Sequence, residues 1–159
     1  MTNSPVRLAL PDDEDAIMEL CQALHKENGQ HSYDPVKVRG MVRRAILQQG
    51  GIIGVIGERG DLKGCIYLLL DPVWYSNEYQ LLELFNFVRS DSRSAKLGYA
   101  VHLIEYAKAR SDELNIDLTI GVLSNIRMEA KVRIYSRLLP KAGEFFVHSP
   151  KSSAVAIAS

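Results

Sequence analysis

The sequence has no excess of charge of either sign: Lys plus Arg number 19 and Asp plus Glu number 19 among 159 residues. That balance argues against a chain devoted to non-specific nucleic-acid binding, where a basic excess is usual, and against a polybasic membrane anchor. Long apolar runs are missing too. The longest candidate, Cys65 to Leu70, is strand-length, far short of the roughly 18 residues that a membrane span needs. Met1 to Pro5 carries no positive charge, and no apolar stretch follows before the acidic Asp12 to Asp15. No signal peptide is therefore expected. Cysteine is scarce: Cys21 and Cys65 are the two present, both in apolar surroundings. Their number and spacing argue against a disulfide framework and a CxxC metal or redox site, and two reduced, buried thiols in a cytoplasmic protein are expected. His25, His31, His102 and His148 lack metal-ligand spacing, so no metal is expected. Internal repeats and low-complexity tracts are absent.

What is present fits one globular domain over residues 1–159: 47% of residues are hydrophobic, close to the globular average. Val6 to Leu10 alternates like a short strand. Carboxylates at Asp12 to Asp15 then suit a helix N-terminus, and Ile17, Leu20, Cys21 and Leu24 form one apolar helical face that Asn28-Gly29 closes. Asp34-Pro35 restarts a helix, with Asp as cap and Pro at the first position. Its stripe is Val38, Met41, Val42, Ala45 and Ile46, and its other face carries Lys37, Arg39, Arg43 and Arg44. Ile52–Glu58 and Gly64–Leu70 read as a hairpin turning over Arg59 to Lys63. Leu81–Val88 is a further strand. Leu97, Ala100, Val101, Ile104 and Ala107 mark a helix, Asn115–Val122 a strand, Asn125–Leu139 a helix and Glu144–His148 a short strand. The last eight or so residues read as an edge strand or as disorder. The predicted order, β-α-α-β-β-β-α-β-α-β, implies an α+β or α/β domain around one central sheet.

The segment Val88 to Gly98 runs from strand through polar turn to helix. A helix N-terminus presents unpaired N–H groups and partial positive charge, a ready place for a pyrophosphate. Arg93 and Lys96 add cationic donors, and Gly98 allows close approach. The same residues also suit an ordinary capped turn with solvated charges. The segment resembles the acetyl-CoA-binding motif of the GCN5-related N-acetyltransferase superfamily: Arg or Gln, two residues, Gly, one residue, Gly or Ala, after a strand ending in Val. Val88, Arg93 and Gly98 match, and Lys96 stands in place of the middle glycine. The element order resembles that superfamily over nearly the whole length. Ala130, Tyr135 and Leu138 resemble its last helix, although Leu139-Pro140 replaces a Gly-Phe ending.

The resemblance implies an α+β fold of three layers, with a mixed central sheet splayed between the fourth and fifth strands. It implies acetyl transfer from acetyl-CoA to a primary amine of a small molecule, peptide or protein, by direct transfer in a ternary complex. A non-catalytic acyl-CoA-binding module of the same fold is the alternative. Cofactor-binding residues would be Phe87, Val88, Arg93, Ser94, Ala95, Lys96, Leu97, Gly98 and Asn125; Asn125 equally suits a helix cap. Backbone groups near Asn86, Phe87 and Val88 would hold the pantetheine arm. Tyr135 is the candidate acid, because a phenol of pKa about 10 keeps its proton at neutral pH and can pass it to a thiolate. It also lies on an apolar stripe, where it suits core packing. Glu83 is the candidate base: a carboxylate inside Leu81-Leu82-Glu83-Leu84-Phe85 must meet a cation, water or a function. His31, Tyr33, Trp74 and Tyr75 are the candidate acceptor-binding residues. No nucleic-acid or membrane partner is implied, and a homodimer would be common in such a family. The basic second helix favours a neutral or acidic acceptor over a strongly cationic one.

Overall fold

The computed structural model describes residues 4–94, 96–124 and 126–150. Five strands form one sheet in chain order: β1 (Val6–Leu8), β2 (Gly51–Glu58), β3 (Asp61–Pro72), β4 (Tyr79–Val88) and β5 (Leu118–Thr119). β1 to β4 are antiparallel neighbours, and β5 joins β4 in parallel. Helices α1 (Glu14–Asn28) and α2 (Pro35–Ile46) precede β2; α3 (Tyr99–Leu114) links β4 to β5, and α4 (Met128–Leu138) follows. The arrangement is the expected mixed three-layer sheet, with α4 starting at Met128 and two differences among the strands. The expected strand over Asn115–Val122 contracts to Leu118–Thr119, and Glu144–His148 pairs with no strand among the described residues. A strand needs a partner edge, and Phe145 to Val147 stay exposed instead. The expected tail element at residues 151–159 lies outside the described residues.

Two cores sandwich the sheet. Ile17, Leu20, Cys21, Val42 and Ala45 from α1 and α2 pack on Ile53, Val55, Cys65, Tyr67 and Phe87. On the opposite face, Leu103, Ile104, Ala107 and Tyr135 from α3 and α4 pack on Ile56, Ile66, Leu68, Leu81 and Val88. The strand period of two accounts for this partition: Cys65 and Tyr67 face one layer, Ile66 and Leu68 the other. Both cysteines are free and buried, and burial pushes both thiols up. Gly54 marks the tightest approach on the second face, where a Cβ would come within 2.6 Å of the Tyr106 ring.

The cap expected at the start of α2 holds, whereas no carboxylate side chain caps the start of α1. Asp34 Oδ1 accepts from the Val36 and Lys37 amides at 3.0 and 3.2 Å. The acidic stretch before α1 does more than suit a dipole. Asp13 is fully buried, accepts two bonds from the Arg7 guanidinium at 2.7 and 2.8 Å and one from the Leu10 amide at 2.8 Å. Asp13→Ala should therefore destabilise the protein by about 3 kcal/mol, the lower end for a broken buried pair, since Arg7 can rehydrate. The Arg7 guanidinium holds the Asp13 carboxyl below its ordinary value. A depressed folded pKa contributes stability above the unfolded value, lost as pH falls through the folded one. Urea melts should show the variant's deficit at pH 7 shrinking in acid; an equal deficit at both would rule this origin out.

Two of the four cations on the basic face of α2 are paired with carboxylates of α1. Arg39 bonds Glu14 and Asp15, and Arg43 bonds Glu14. This weakens the ground for favouring a neutral or acidic acceptor over a strongly cationic one, because helix pairing brings the acidic start of α1 against two of those cations.

Candidate active site

β4 and β5 are paired only at Leu81–Leu118 and Leu82–Thr119. β4 continues to Val88, while the chain after Thr119 leaves the sheet, so the β5-facing edge of β4 beyond Leu82 has no strand partner among the described residues. The gap is a cleft of about 210 Å³. Leu82 to Asn86 form one wall, Thr119 and Gly121 to Leu123 another; Leu24, Lys131, Tyr135 and Phe145 complete it.

A break in strand regularity brings the polar groups of this cleft together. Tyr67 pairs with Phe85 and Leu68 with Glu83, leaving Leu84 as the extra residue of a β-bulge. In an unbroken strand Glu83 and Asn86, three apart, would point to opposite faces. The bulge inverts the alternation. Leu81 and Val88, an odd number apart, consequently share one core, and Glu83 and Asn86 both meet α4. Asn86 Nδ2 lies 3.1 Å from Glu83 Oε1 and 2.7 Å from Tyr135 Oη; Tyr135 Oη is 3.1 Å from Asn86 Oδ1. Both Asn86 and Tyr135 are buried. Tyr135 reaches the site from the apolar face of α4, and Lys131, one turn earlier, lines the same cleft.

Burial dominates the electrostatics. It pushes the Glu83 carboxyl up to about 7, against smaller opposing effects from Asn86, the Gly121 backbone and Lys131. Burial, and then the Glu83 charge, raise the Tyr135 phenol well above its ordinary value. Burial lowers Lys131, with Glu83 acting the other way. A carboxyl poised near neutrality, linked to a phenol that holds its proton, can accept a proton at one point of a cleft and deliver one at another.

The structure brings Tyr135 and Glu83 together and, among the described residues, places the other expected side chains outside that cluster. The Phe87 side chain is buried in the α1–α2 core beneath the Arg93 guanidinium, 5.1 Å away. Val88 faces the other core, and its carbonyl accepts from Arg93 Nε at 2.7 Å. Arg93 also bonds Glu27, so its head group points inward. Ser94 organises the turn: its Oγ and carbonyl accept from the Leu97 amide, and its carbonyl from the Gly98 amide. Lys96 and Leu97 are exposed. Gly98, at φ +63°, starts α3 in the left-handed region that favours glycine. Ala95 and Asn125 lie outside the described residues.

The four expected acceptor residues are dispersed. The Tyr33 ring packs on His25, with centroids 5.1 Å apart, and its hydroxyl is buried without a hydrogen-bond partner among the described residues. His31 is exposed, its carbonyl within 2.6 Å of His25 Nε2. Trp74 and Tyr75 contact each other edge to face at the β3–β4 turn, exposed and outside the cleft lining. Sequence reasoning missed the Asn86 side chain, Lys131 and Phe145. A signal existed only for Lys131, which precedes Tyr135 by four residues and so shares its helix face.

No protein-family model matches the chain, and no curated protein does. Solved structures do match. A possible acetyltransferase from Clostridium difficile 630 superimposes with TM-score 0.70 at 20% identity, covering 91% of this chain and 95% of that one. A ribosomal-protein-alanine N-acetyltransferase from Brucella melitensis biovar Abortus 2308 gives 0.68 at 14%, covering 91% and 96%. A predicted acetyltransferase from Clostridium acetobutylicum, solved with acetyl-CoA, gives 0.71 at 10%, covering 91% and 94%. The chain therefore has the GCN5-related N-acetyltransferase fold.

Proposed function

We propose that this protein transfers an acetyl group from acetyl-CoA to a primary amine, with both substrates bound together. The observation that carries the reading is the Glu83–Asn86–Tyr135 cluster inside the gap between β4 and β5, in a fold shared with acetyltransferases. The unpaired edge of β4 offers backbone donors and acceptors to an extended, amide-containing arm such as pantetheine. The first-turn amides of α3, at Tyr99 to Val101, have no acceptor within the helix and suit a diphosphate. Lys96, exposed beside them, adds charge. Arg93, bonded to Glu27 and Val88, serves by shaping the turn.

The chemistry follows from the groups present. The amine nitrogen attacks the thioester carbonyl carbon, and its surplus proton passes to Glu83, directly or through water. The C–S bond then breaks, and the thiolate receives the Tyr135 proton. Protonation of Glu83 removes the negative charge that helps to raise the phenol, so the first proton transfer makes the second easier. No covalent intermediate on the protein is needed when both substrates are held in place.

Two measurements test the reading. Acetyl-CoA at 100 times its dissociation constant should stabilise the fold by about 2.7 kcal/mol, read as a thermal shift. Thiol release should then appear with at least one member of an amine panel spanning polyamines, aminoglycosides, amino acids and alanyl peptides. A thermal shift without release from any amine would leave only the non-catalytic binding module. Neither signal would overturn both readings.

A further inference from the structure

We propose that Asn86 is a positioning residue that couples the base to the acid, donating one amide hydrogen to the Glu83 carboxylate and the other to the Tyr135 phenol oxygen. The inference rests on the acetyl-transfer reading for the roles of Glu83 and Tyr135; the linkage itself rests on geometry. Asn86 is buried on β4, on the face that the bulge at Leu84 turns toward α4. Its Nδ2 is 3.1 Å from Glu83 Oε1 and 2.7 Å from Tyr135 Oη, while its Oδ1 is the more distant from the phenol at 3.1 Å. An amide nitrogen has two hydrogens, and these two acceptors use both.

This orientation has a chemical consequence. When the phenol oxygen accepts from Asn86 Nδ2 at 2.7 Å instead of donating to Oδ1 at 3.1 Å, its own hydrogen is free to turn into the cleft, where a leaving thiolate would need it. Once that proton has left, the same amide donor stabilises the phenolate. On the other side, the amide fixes the carboxylate and favours its charged form. The charged and titratable groups around Glu83 are few. Lys131 and Tyr135 face it from α4, the Gly121 backbone faces it across the cleft, and Asn86 shares its strand. Arg93, Glu27 and Arg127 act in turn on Lys131. Of these groups, the Asn86 side chain is hydrogen-bonded to both Glu83 and Tyr135.

The test combines a titration with a mutant cycle. Asn86→Leu, and Asn86→Ala in case the larger side chain impairs folding, are compared with the wild type by carboxyl-carbon NMR of Glu83. The Glu83 midpoint should move upward by about one pH unit when the donor is lost. In turnover assays Asn86→Leu should lower kcat about 10- to 100-fold with the KM for acetyl-CoA little changed, and the acidic limb should move up with the midpoint. Measured at a pH above the Glu83 midpoints of all variants, the double variant Asn86→Leu/Tyr135→Phe should lose no more than Tyr135→Phe alone, as groups acting as a unit do. An unmoved Glu83 midpoint in a folded variant overturns the coupling even if the protein acetylates amines. So do losses that multiply in the double variant. A wild type without acetyl transfer overturns the functional reading instead, and the titration still decides the linkage.

Discussion

Glu83→Gln should lose most of its turnover and gain thermal stability at the same time. The loss follows from the base role proposed for Glu83: removing a positioned proton acceptor typically lowers the rate by about 10²- to 10⁴-fold. The gain follows from burial. Desolvation raises the Glu83 carboxyl to about 7 in the folded protein, above its value in the unfolded chain. A group raised on folding contributes stability that is fully present below the unfolded pKa and is lost as pH rises through the folded one. At pH 8 the wild type therefore holds a charged carboxylate in a place that disfavours it, and a neutral glutamine does not share that penalty. The variant's melting temperature should exceed the wild type's at pH 8, with the gap closing toward pH 5. In parallel, wild-type kcat should rise with pH through about 7, and the variant's profile should flatten there. An unchanged kcat removes Glu83 from the base role, and a lower melting temperature at pH 8 shows that the carboxylate is well solvated or paired. Stability surrendered at a functional position is a recognised trade-off.

Tyr135→Phe should separate chemistry from binding. The ring stays where it packs, among Leu103, Ile104 and Ala107 of the α3–α4 core, so the fold and the cleft wall are kept. Only the hydroxyl is lost, and with it the proton proposed for the departing thiolate and the partner of Asn86. Turnover should fall about 10²- to 10³-fold, within the range for general acids. The acetyl-CoA thermal shift should match the wild type. Equal turnover would return Tyr135 to a purely structural role, and a lost thermal shift would make it a binding residue. Because burial holds the phenol well above its ordinary value, its ionisation should add no basic limb to the wild-type profile in the neutral range.

The elements were readable because each is set by neighbours in sequence. Asp34-Pro35 starts α2, Asn28-Gly29 closes α1, and the 3.6-residue stripe over Leu97 to Ala107 marks the body of α3, which begins two residues later than its first apolar position. The hairpin of β2 and β3 was found, yet its loop is tighter than expected. Glu58 pairs with Asp61 around Arg59-Gly60, and an extra residue at Lys63 is absorbed beyond it. Glu83 and Tyr135 were identifiable as a polar residue in an apolar strand and a tyrosine on an apolar stripe. Asn86 was not, because parity set it on the face opposite Glu83.

What the sequence determined by itself was the kind and order of the elements from β1 to α4, the two reduced thiols and the pair of side chains suited to proton transfer. Periodicity, caps and turn residues act over a few positions, so they leave marks that can be read locally. The tertiary structure decided which groups meet. One unmatched residue at Leu84 turns Asn86 toward Glu83, a strand pairing that stops at Thr119 opens the cleft, and helix packing brings Lys131 and Tyr135 to its wall. The same kind of long-range contact sets Arg39 and Arg43 against Glu14 and turns Arg93 inward to Glu27. Strand register, splay and ion pairing between distant segments are properties of the assembled sheet and its layers, and no stretch of a few residues encodes them.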